Sequence, residues 1–179
     1  MKIIVLVKQV PDSTEIRVDK VTGTLIRAGV PSIINPDDLA GVEAALQLKE
    51  KMGATVVAVS MGPGQAGDML KELYARGVDE CVLITDRKFG GADTCATSTT
   101  LAGALNKIGY DLIIAGRQAI DGDTAQVGPQ TAERLGIPQV TYVDEIIDLN
   151  DTTVTVKKSL EDSEEIIEAK LPCVLTTLS

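Results

Sequence analysis

The sequence contains no histidine and no tryptophan, and aromatic residues make up only 2% of its 179 positions. Without an imidazole, the chain cannot form a Ser-His or Cys-His nucleophile pair or a histidine-bound metal site. Catalysis, if any, must use carboxylates, lysine, tyrosine, cysteine or a bound cofactor. Because few aromatic rings are present to stack on bases and the formal net charge is −9, nucleic-acid binding is not expected.

Cysteine is scarce, and the N-terminal apolar run is short. Cys81, Cys95 and Cys173 are odd in number and far apart, so we expect small buried residues in a reducing compartment and no disulfide framework. The apolar run from Ile3 to Val7 is too short for a signal peptide or a transmembrane helix. We therefore expect a cytoplasmic protein that does not insert into a membrane.

Apolar residues, 44% of the chain, alternate between two patterns. Short continuous runs predict strands that are buried on both faces of a parallel sheet, over residues 3–7, 55–60, 81–85, 112–115 and 173–178. Helical spacing between them predicts helices over residues 35–52, 65–76, 93–108 and 124–135. The alternation predicts one α/β domain over residues 1–179, with a doubly wound, mainly parallel sheet.

Two segments depart from this alternation, and one helix carries clear start signals. Residues 15–27 predict a small β-ribbon, and residues 139–171 predict an antiparallel excursion with turns near Asn150 and Asp162. The helix over residues 35–52 is expected to have Asn35 as its capping side chain and Pro36 at its first position.

Ligands of open parallel sheets bind beyond the carboxyl ends of the strands, where the strand order reverses. Residues 8–12, 61–63 and 116–129 follow predicted strands, and the last segment is longer than the roughly 2–6 residues usual for such a connection. We expect Gly116 and Gly122 to adopt backbone conformations closed to other residues and to allow the close approach of a ligand. The N–H groups of residues 124–127 are expected to form an anion site at a helix N-terminus.

Side chains of this segment fit either a nucleotide site or a capped helix. Arg117 could neutralise phosphate, and Thr124 and Gln126 add donors. Alternatively, Asp121 and Asp123 merely cap the helix. Neither a Gly-x-Gly-x-x-Gly motif nor a P-loop is present, and the aspartates match no metal-binding loop.

Four segments resemble the beta subunit of electron transfer flavoproteins: residues 5–12 (VLVKQVPD), 32–38 (SIINPDD), 59–63 (VSMGP) and above all 116–129 (GRQAIDGDTAQVGP). The likeness continues through residues 170–172. It implies a Rossmann-like, adenine-nucleotide-binding or flavin-binding domain that forms a heterodimer with a flavin-bearing alpha subunit. Such a heterodimer carries electrons between acyl-CoA dehydrogenase-type partners, or NADH, and an acceptor. Any NADH-oxidising activity would need the alpha subunit and the partner dehydrogenase.

The resemblance assigns nucleotide contacts position by position, with no catalytic and no metal-binding residue. The implied contacts are Leu6, Asn35, Pro36, Asp37, Asp38, Met61, Gly116, Arg117, Gln118, Ala119, Ile120, Asp121, Gly122, Asp123, Thr124, Ala125, Gln126 and Val127.

The identity of the nucleotide depends on the motif that begins at Asp121. In many members of the family the beta subunit holds AMP in a structural role, whereas flavin-bifurcating members hold a second FAD that takes a hydride from NADH. The AMP-type motif tends toward Asp-Asp-Asp-x-Asn-Gln-Thr-Gly, whereas this chain reads DGDTAQVGP. This form resembles the bifurcating branch, and Gly122 is consistent with more room. FAD is therefore the expected cofactor, and AMP is the alternative.

The sequence departs from the family in one respect, and two other functions are alternatives to the one that the resemblance implies. The family continues beyond the last parallel strand with an arm that wraps the alpha subunit, and this arm is expected to be missing because the sequence ends at Ser179. An ATP-binding regulatory module on the same kind of sheet would use a Gly-rich phosphate loop, which is not found. A nucleotide-dependent hydrolase or ligase would use Asp121 and Asp123 as metal ligands.

Overall fold

The computed structural model describes residues 1–12 and 31–179. The strands of this part are β1 (Lys2–Leu6), β2 (Gln9–Pro11), β3 (Ser32–Ile34), β4 (Thr55–Met61), β5 (Glu80–Ile84), β6 (Leu112–Gly116), β7 (Gln139–Leu149), β8 (Thr153–Ser159), β9 (Glu164–Lys170) and β10 (Cys173–Thr177). The helices are α1 (Pro36–Met52), α2 (Ala66–Arg76), α3 (Thr94–Ile108) and α4 (Val127–Leu135), with a short 3-10 helix at Arg87–Phe89.

Eight strands form one sheet in the order β5-β4-β1-β6-β10-β7-β8-β9, and β2 pairs with β3 in a separate antiparallel ribbon. Neighbours from β5 to β7 run parallel, whereas β7, β8 and β9 pair antiparallel. The predicted fold class, a doubly wound and mainly parallel α/β sheet with an antiparallel excursion, is therefore confirmed. The β-ribbon predicted for residues 15–27 lies outside the residues that the structure describes.

The five predicted parallel strands are confirmed within one residue at each end. They were recognisable because these strands are covered on both faces, so that successive side chains are apolar. In β1, for example, Ile3 packs into the core layer beneath α1 and α2, and Ile4 packs into the layer beneath α3 and α4. Both side chains are 0% exposed.

Three of the four predicted helices are also confirmed, and left-handed Gly53 and Gly77 end the first two. The fourth is shorter than predicted, because α4 begins at Val127 and not at residue 124. Asp123 and Ala125 have positive φ angles of 54° and 52°, which an α-helix cannot accommodate. The segment before α4 is therefore an extension of the connecting loop.

No helix in the described residues is both long enough and apolar enough to cross a membrane.

The three cysteines lie in different environments, so the expectation that all are buried is wrong. Cys173 is buried in β10, and burial raises the pKa of its thiol to about 11. Cys81 is half-buried, whereas Cys95 is exposed in the first turn of α3. Cys95 therefore lies outside the core.

The assignment of the core can be tested at Leu105, whose side chain is 0% exposed between α3 and the sheet. Leu105→Ala should lower the free energy of unfolding by about 2–5 kcal/mol, because it removes buried methyl groups and leaves a cavity. The matched control is Leu160→Ala, at a position 43% exposed, which should change it by less than about 0.5 kcal/mol. Urea unfolding measures both. Equal effects of the two variants would contradict the assignment of this core.

Candidate functional site

The strand order reverses between β1 and β6. From β1 the chain moves outward to β4 and then β5, and it returns to place β6 on the other side of β1. The carboxyl ends of β1 and β6 therefore flank the crevice in which doubly wound sheets bind ligands. Lys8, the first residue of the predicted segment 8–12, and the loop that follows Gly116 lie there, as the sequence predicted.

Asp38, in the first turn of α1, joins the ends of these two strands. Its Oδ2 accepts the backbone N–H of Lys8 at 2.8 Å, and its Oδ1 accepts that of Gly116 at 3.1 Å. One carboxylate thus fixes the start of α1 against both edges of the crevice.

Position 116 requires a glycine because α1 approaches its backbone closely, and not because its φ angle is unusual. A Cβ at this position would overlap Asp38 Oδ1 and would lie 2.7 Å from backbone atoms of Asp37 and Asp38. Neither Gly116 nor Gly122 has a positive φ, so the prediction of unusual backbone conformations at these glycines is wrong. The left-handed residues of the loop are Asp123 and Ala125 instead. The close approach of a ligand stays a prediction.

Asn35 occupies the N-cap position of α1, but its side chain makes no capping hydrogen bond, which corrects the prediction. Its Nδ2 donates to the carbonyl of Gln118 at 2.8 Å, and its Oδ1 accepts the N–H of Ile120 at 3.1 Å. The side chain is fully buried, so it has to satisfy both polar ends of its amide. It does so by holding the long loop to α1.

Two ion pairs also join the loop to the rest of the site. Lys8 Nζ lies 2.6 Å from Asp121 Oδ1, and Arg117 Nε lies 3.5 Å from Asp37 Oδ2. The second distance is too long for a good hydrogen bond, and both atoms are buried without a hydrogen-bond partner among the residues that the structure describes. This donor and this acceptor therefore each keep unused hydrogen-bonding capacity.

The idea that two loop aspartates merely cap α4 is wrong. Asp121 pairs with Lys8, and Asp123 accepts a hydrogen bond from the side chain of Gln118. Within residues 1–12 and 31–179, no acceptor receives the backbone N–H groups of residues 124–126. These N–H groups precede α4 and remain able to bind an anion, although they are not its first turn.

The remaining predicted contacts lie on the sheet face covered by α3 and α4, at the start of α1, or along the loop. Leu6 is buried at the end of β1, and Met61 and Val127 pack partly buried against the same core layer beneath α3 and α4. Pro36 is the first residue of α1. Ala119 accepts the N–H groups of Gly122 and Asp123, which closes a turn in the loop. The site thus draws on both faces of the sheet at one edge.

One contact partner of the loop was not predicted from the sequence. Thr94, the first residue of α3, donates its hydroxyl to Gln126 Oε1 at 2.9 Å. A polar stripe could have revealed this side of α3 and α4, because Thr94 and Ser98 are spaced by one helical turn, as are Gln130 and Arg134.

In the described part of the chain, no three acidic or cysteine side chains come together in a way that could hold a metal ion.

Burial raises the pKa of the Asp38 carboxyl from 3.8 to about 7. The charge of Asp37 raises the pKa further, whereas hydrogen bonds from the Asn35 side chain and from two backbone N–H groups lower it. Between about pH 4 and pH 7 the folded chain therefore binds this proton more tightly than the unfolded chain does. The fold gains stability from this group as the pH falls through 7.

This linkage can be measured against Asp38→Asn, which does not titrate. As the pH falls from about 7.5 to 5, the wild type should gain on the order of 1 kcal/mol per pH unit in unfolding free energy relative to the variant. Urea unfolding across this range gives the difference, and Asp148→Asn, at an exposed position of β7, is the matched control. A difference for Asp38→Asn that is independent of pH would contradict the prediction.

Comparison with known proteins assigns the family. A model of the electron transfer flavoprotein domain matches residues 22–179. The chain is 57% identical over 178 residues to electron transfer flavoprotein subunit beta of Clostridium acetobutylicum, covering 99% of this chain and 68% of that relative.

Two further relatives carry the names of larger complexes. The chain is 55% identical to caffeyl-CoA reductase-Etf complex subunit CarD of Acetobacterium woodii, over 98% of this chain and 68% of the relative. It is 51% identical to acryloyl-CoA reductase electron transfer subunit gamma of Anaerotignum propionicum, over 99% of this chain and 67% of the relative. With the domain model matching most of its length and such high identity to these subunits, the chain belongs to the electron transfer flavoprotein family, among its beta subunits.

Proposed function

We propose that this chain forms a heterodimer with an electron transfer flavoprotein alpha subunit and binds an adenine nucleotide at the switch point between β1 and β6. The observation that carries the proposal is the loop over residues 117–126. Asn35 and Lys8 hold this loop at the ends of both strands, and the backbone N–H groups of its last three residues have no acceptor in the part of the chain that the structure describes. A switch-point loop of this kind is where open α/β sheets bind nucleotides.

The polar groups of the crevice match the chemistry of a nucleotide. The side chain of Arg117 is 34% exposed and its guanidinium suits a phosphate oxygen, as do the N–H groups of residues 124–126, which have no acceptor in the described chain. Asp37 Oδ2 faces Arg117 Nε but has no hydrogen-bond partner in the described chain, and it suits a hydroxyl of a ribose. A phosphate alone would leave this acceptor without a hydrogen bond, so a ligand with both phosphate and sugar fits better.

FAD is the proposed nucleotide. The space beside Gly122 supports this choice, because a Cβ there would have no atom of the described residues within 4 Å. When FAD is bound, the flavin supplies the redox chemistry, and the residues of the site bind and orient it. AMP, which would serve as a structural ligand, is the alternative outcome of the test below.

The proposed partners follow from the names of the relatives. Two of them are subunits of complexes that reduce caffeyl-CoA and acryloyl-CoA. We propose that this chain works in the same setting, with an acyl-CoA dehydrogenase-type partner and with NADH as the electron donor in a flavin-bifurcating complex in the cytoplasm.

The test is the nucleotide content of the heterodimer after co-expression of this chain with its alpha subunit. Nucleotides released by acid are separated and quantified, and the absorption spectrum and NADH oxidation are recorded before release. Two FAD per heterodimer with NADH oxidation is the expected result. One FAD and one AMP without NADH oxidation would refute the FAD assignment but keep the site. One FAD and no second nucleotide would refute the nucleotide site.

Gly122→Val tests the position of the ligand. The backbone at Gly122 is open to a side chain, so the free energy of unfolding should change by less than about 0.5 kcal/mol. The branched side chain fills the space proposed for the nucleotide, and we expect the affinity for FAD and AMP to fall at least tenfold. Calorimetric titration of the heterodimer, after removal of bound nucleotide, measures this change.

The matched control for this variant is Gly103→Val in α3. It adds the same side chain at an exposed position that also has open space around it. We expect its nucleotide affinity to equal that of the wild type. If Gly122→Val also binds like the wild type, then the ligand lies elsewhere.

A further inference from the structure

A chain of side-chain hydrogen bonds runs between α3 and α4 and ends at the nucleotide loop. It starts at Arg134, whose Nε donates to Ser98 Oγ at 2.8 Å. Ser98 Oγ shares its single proton between Gln130 Oε1 at 3.2 Å and the carbonyl of Cys95 in its own helix at 3.0 Å. Gln130 Nε2 then donates to Thr94 Oγ1 at 3.3 Å, and Thr94 Oγ1 donates to Gln126 Oε1 at 2.9 Å. We refer to these five residues as the relay.

Every hydrogen bond of the relay points the same way, from the guanidinium of Arg134 to the amide of Gln126. Arg134 can only donate, so Ser98 Oγ accepts this bond and keeps its own proton for Gln130 and the Cys95 carbonyl. The hydroxyl of Ser98 is 0% exposed, so water cannot replace its partners. Hydrogen bonds aligned in this way polarise one another, which strengthens the series.

The direction of the relay decides how Gln126 presents its amide. Gln126 Oε1 accepts the hydroxyl of Thr94, so the amide nitrogen is the end that remains available to a ligand. Its Nε2 donates to no acceptor in the described chain and carries two free protons. Gln126 is the N-cap residue of α4 and the last residue of the loop. The loop therefore offers a donor to a phosphate or carbonyl oxygen.

We infer that Arg134 is a positioning residue of the nucleotide site, which acts through the relay to hold Gln126 with its amide donors available to the ligand. This inference rests on the proposed function, because it needs a nucleotide to bind at the loop. Arg134 lies eight residues beyond Gln126, or roughly 12 Å along the helix, and so is too far along α4 to belong to the loop itself.

A purely structural role of Arg134 has to be separated from this one. Arg134 lies in the last turn of α4, where a cation stabilises the helix end, and its Nη2 also contacts Cys95 Sγ at 3.0 Å. Arg76 offers a matched control, because it lies in the last turn of α2 and pairs with Glu72 at 2.7 Å. Arg76→Met removes the same group from a helix end outside the relay.

The experiment is a double-mutant cycle on the heterodimer, with the dissociation constants of AMP and FAD measured by calorimetry after removal of bound nucleotide. Arg134→Met should weaken binding about 3- to 10-fold, the effect of one hydrogen bond, whereas Arg76→Met should not change it. In the Gln126→Ala background, Arg134→Met should cause no further loss, because the residue through which it acts is already absent. Gln130→Met, which interrupts the relay with a side chain of similar size, should reproduce the loss if Arg134→Met does not fold.

Three results would overturn the inference, and they are distinguishable. Wild-type affinity in the folded Arg134→Met or Gln130→Met variant would show that the relay does not affect binding. A full additional loss in the Gln126→Ala background would show that Arg134 acts by another route. A wild-type heterodimer that binds neither AMP nor FAD would overturn the proposed function, and the inference with it.

Discussion

The carboxylate of Asp38 is the contact on which the site depends. It accepts backbone N–H groups from the ends of both β1 and β6, and it sits so close to Gly116 that a side chain there would overlap it. Because Asp38 lies in the first turn of α1, the helix is fixed at the point where the strand order reverses. A buried carboxylate is costly unless its oxygens are hydrogen-bonded, so the backbone groups and the carboxylate require each other.

The loop over residues 117–126 is held next to Asp38 by side chains and not by regular secondary structure. Asn35, beside Asp38, binds loop residues more than eighty positions later in the sequence, and Lys8 binds Asp121. Strand β10 adds a backbone contact, since the N–H of Arg117 donates to the carbonyl of Thr177 at 2.9 Å. The loop is therefore fixed in place while three of its N–H groups lack an acceptor among residues 1–12 and 31–179, a combination that preorganises a binding site.

The parts of the fold that could be predicted are those that local sequence specifies. Strands buried on both faces read as continuous apolar runs, and glycines such as Gly77 mark helix ends. The start of α4 was missed because Asp123 and Ala125 adopt left-handed conformations that their residue types rarely signal. The position of Asn35 before α1 predicts a local cap, but its side-chain amide instead binds Gln118, which is distant in sequence. The individual site residues were predicted from the resemblance of whole segments to a family. Hydrophobic periodicity could not predict them, because it does not indicate which distant segments meet.

Amide hydrogen exchange of the heterodimer, with and without added FAD or AMP, tests the central claim that the nucleotide lies over this loop. The N–H groups of residues 124–126 have no acceptor in the described part of the chain, so they should exchange fast without nucleotide. We predict that either nucleotide slows exchange at these residues and around Asp37 and Arg117. Unchanged exchange there, with protection by the nucleotide confined to other segments of this chain or to the alpha subunit, would contradict the account.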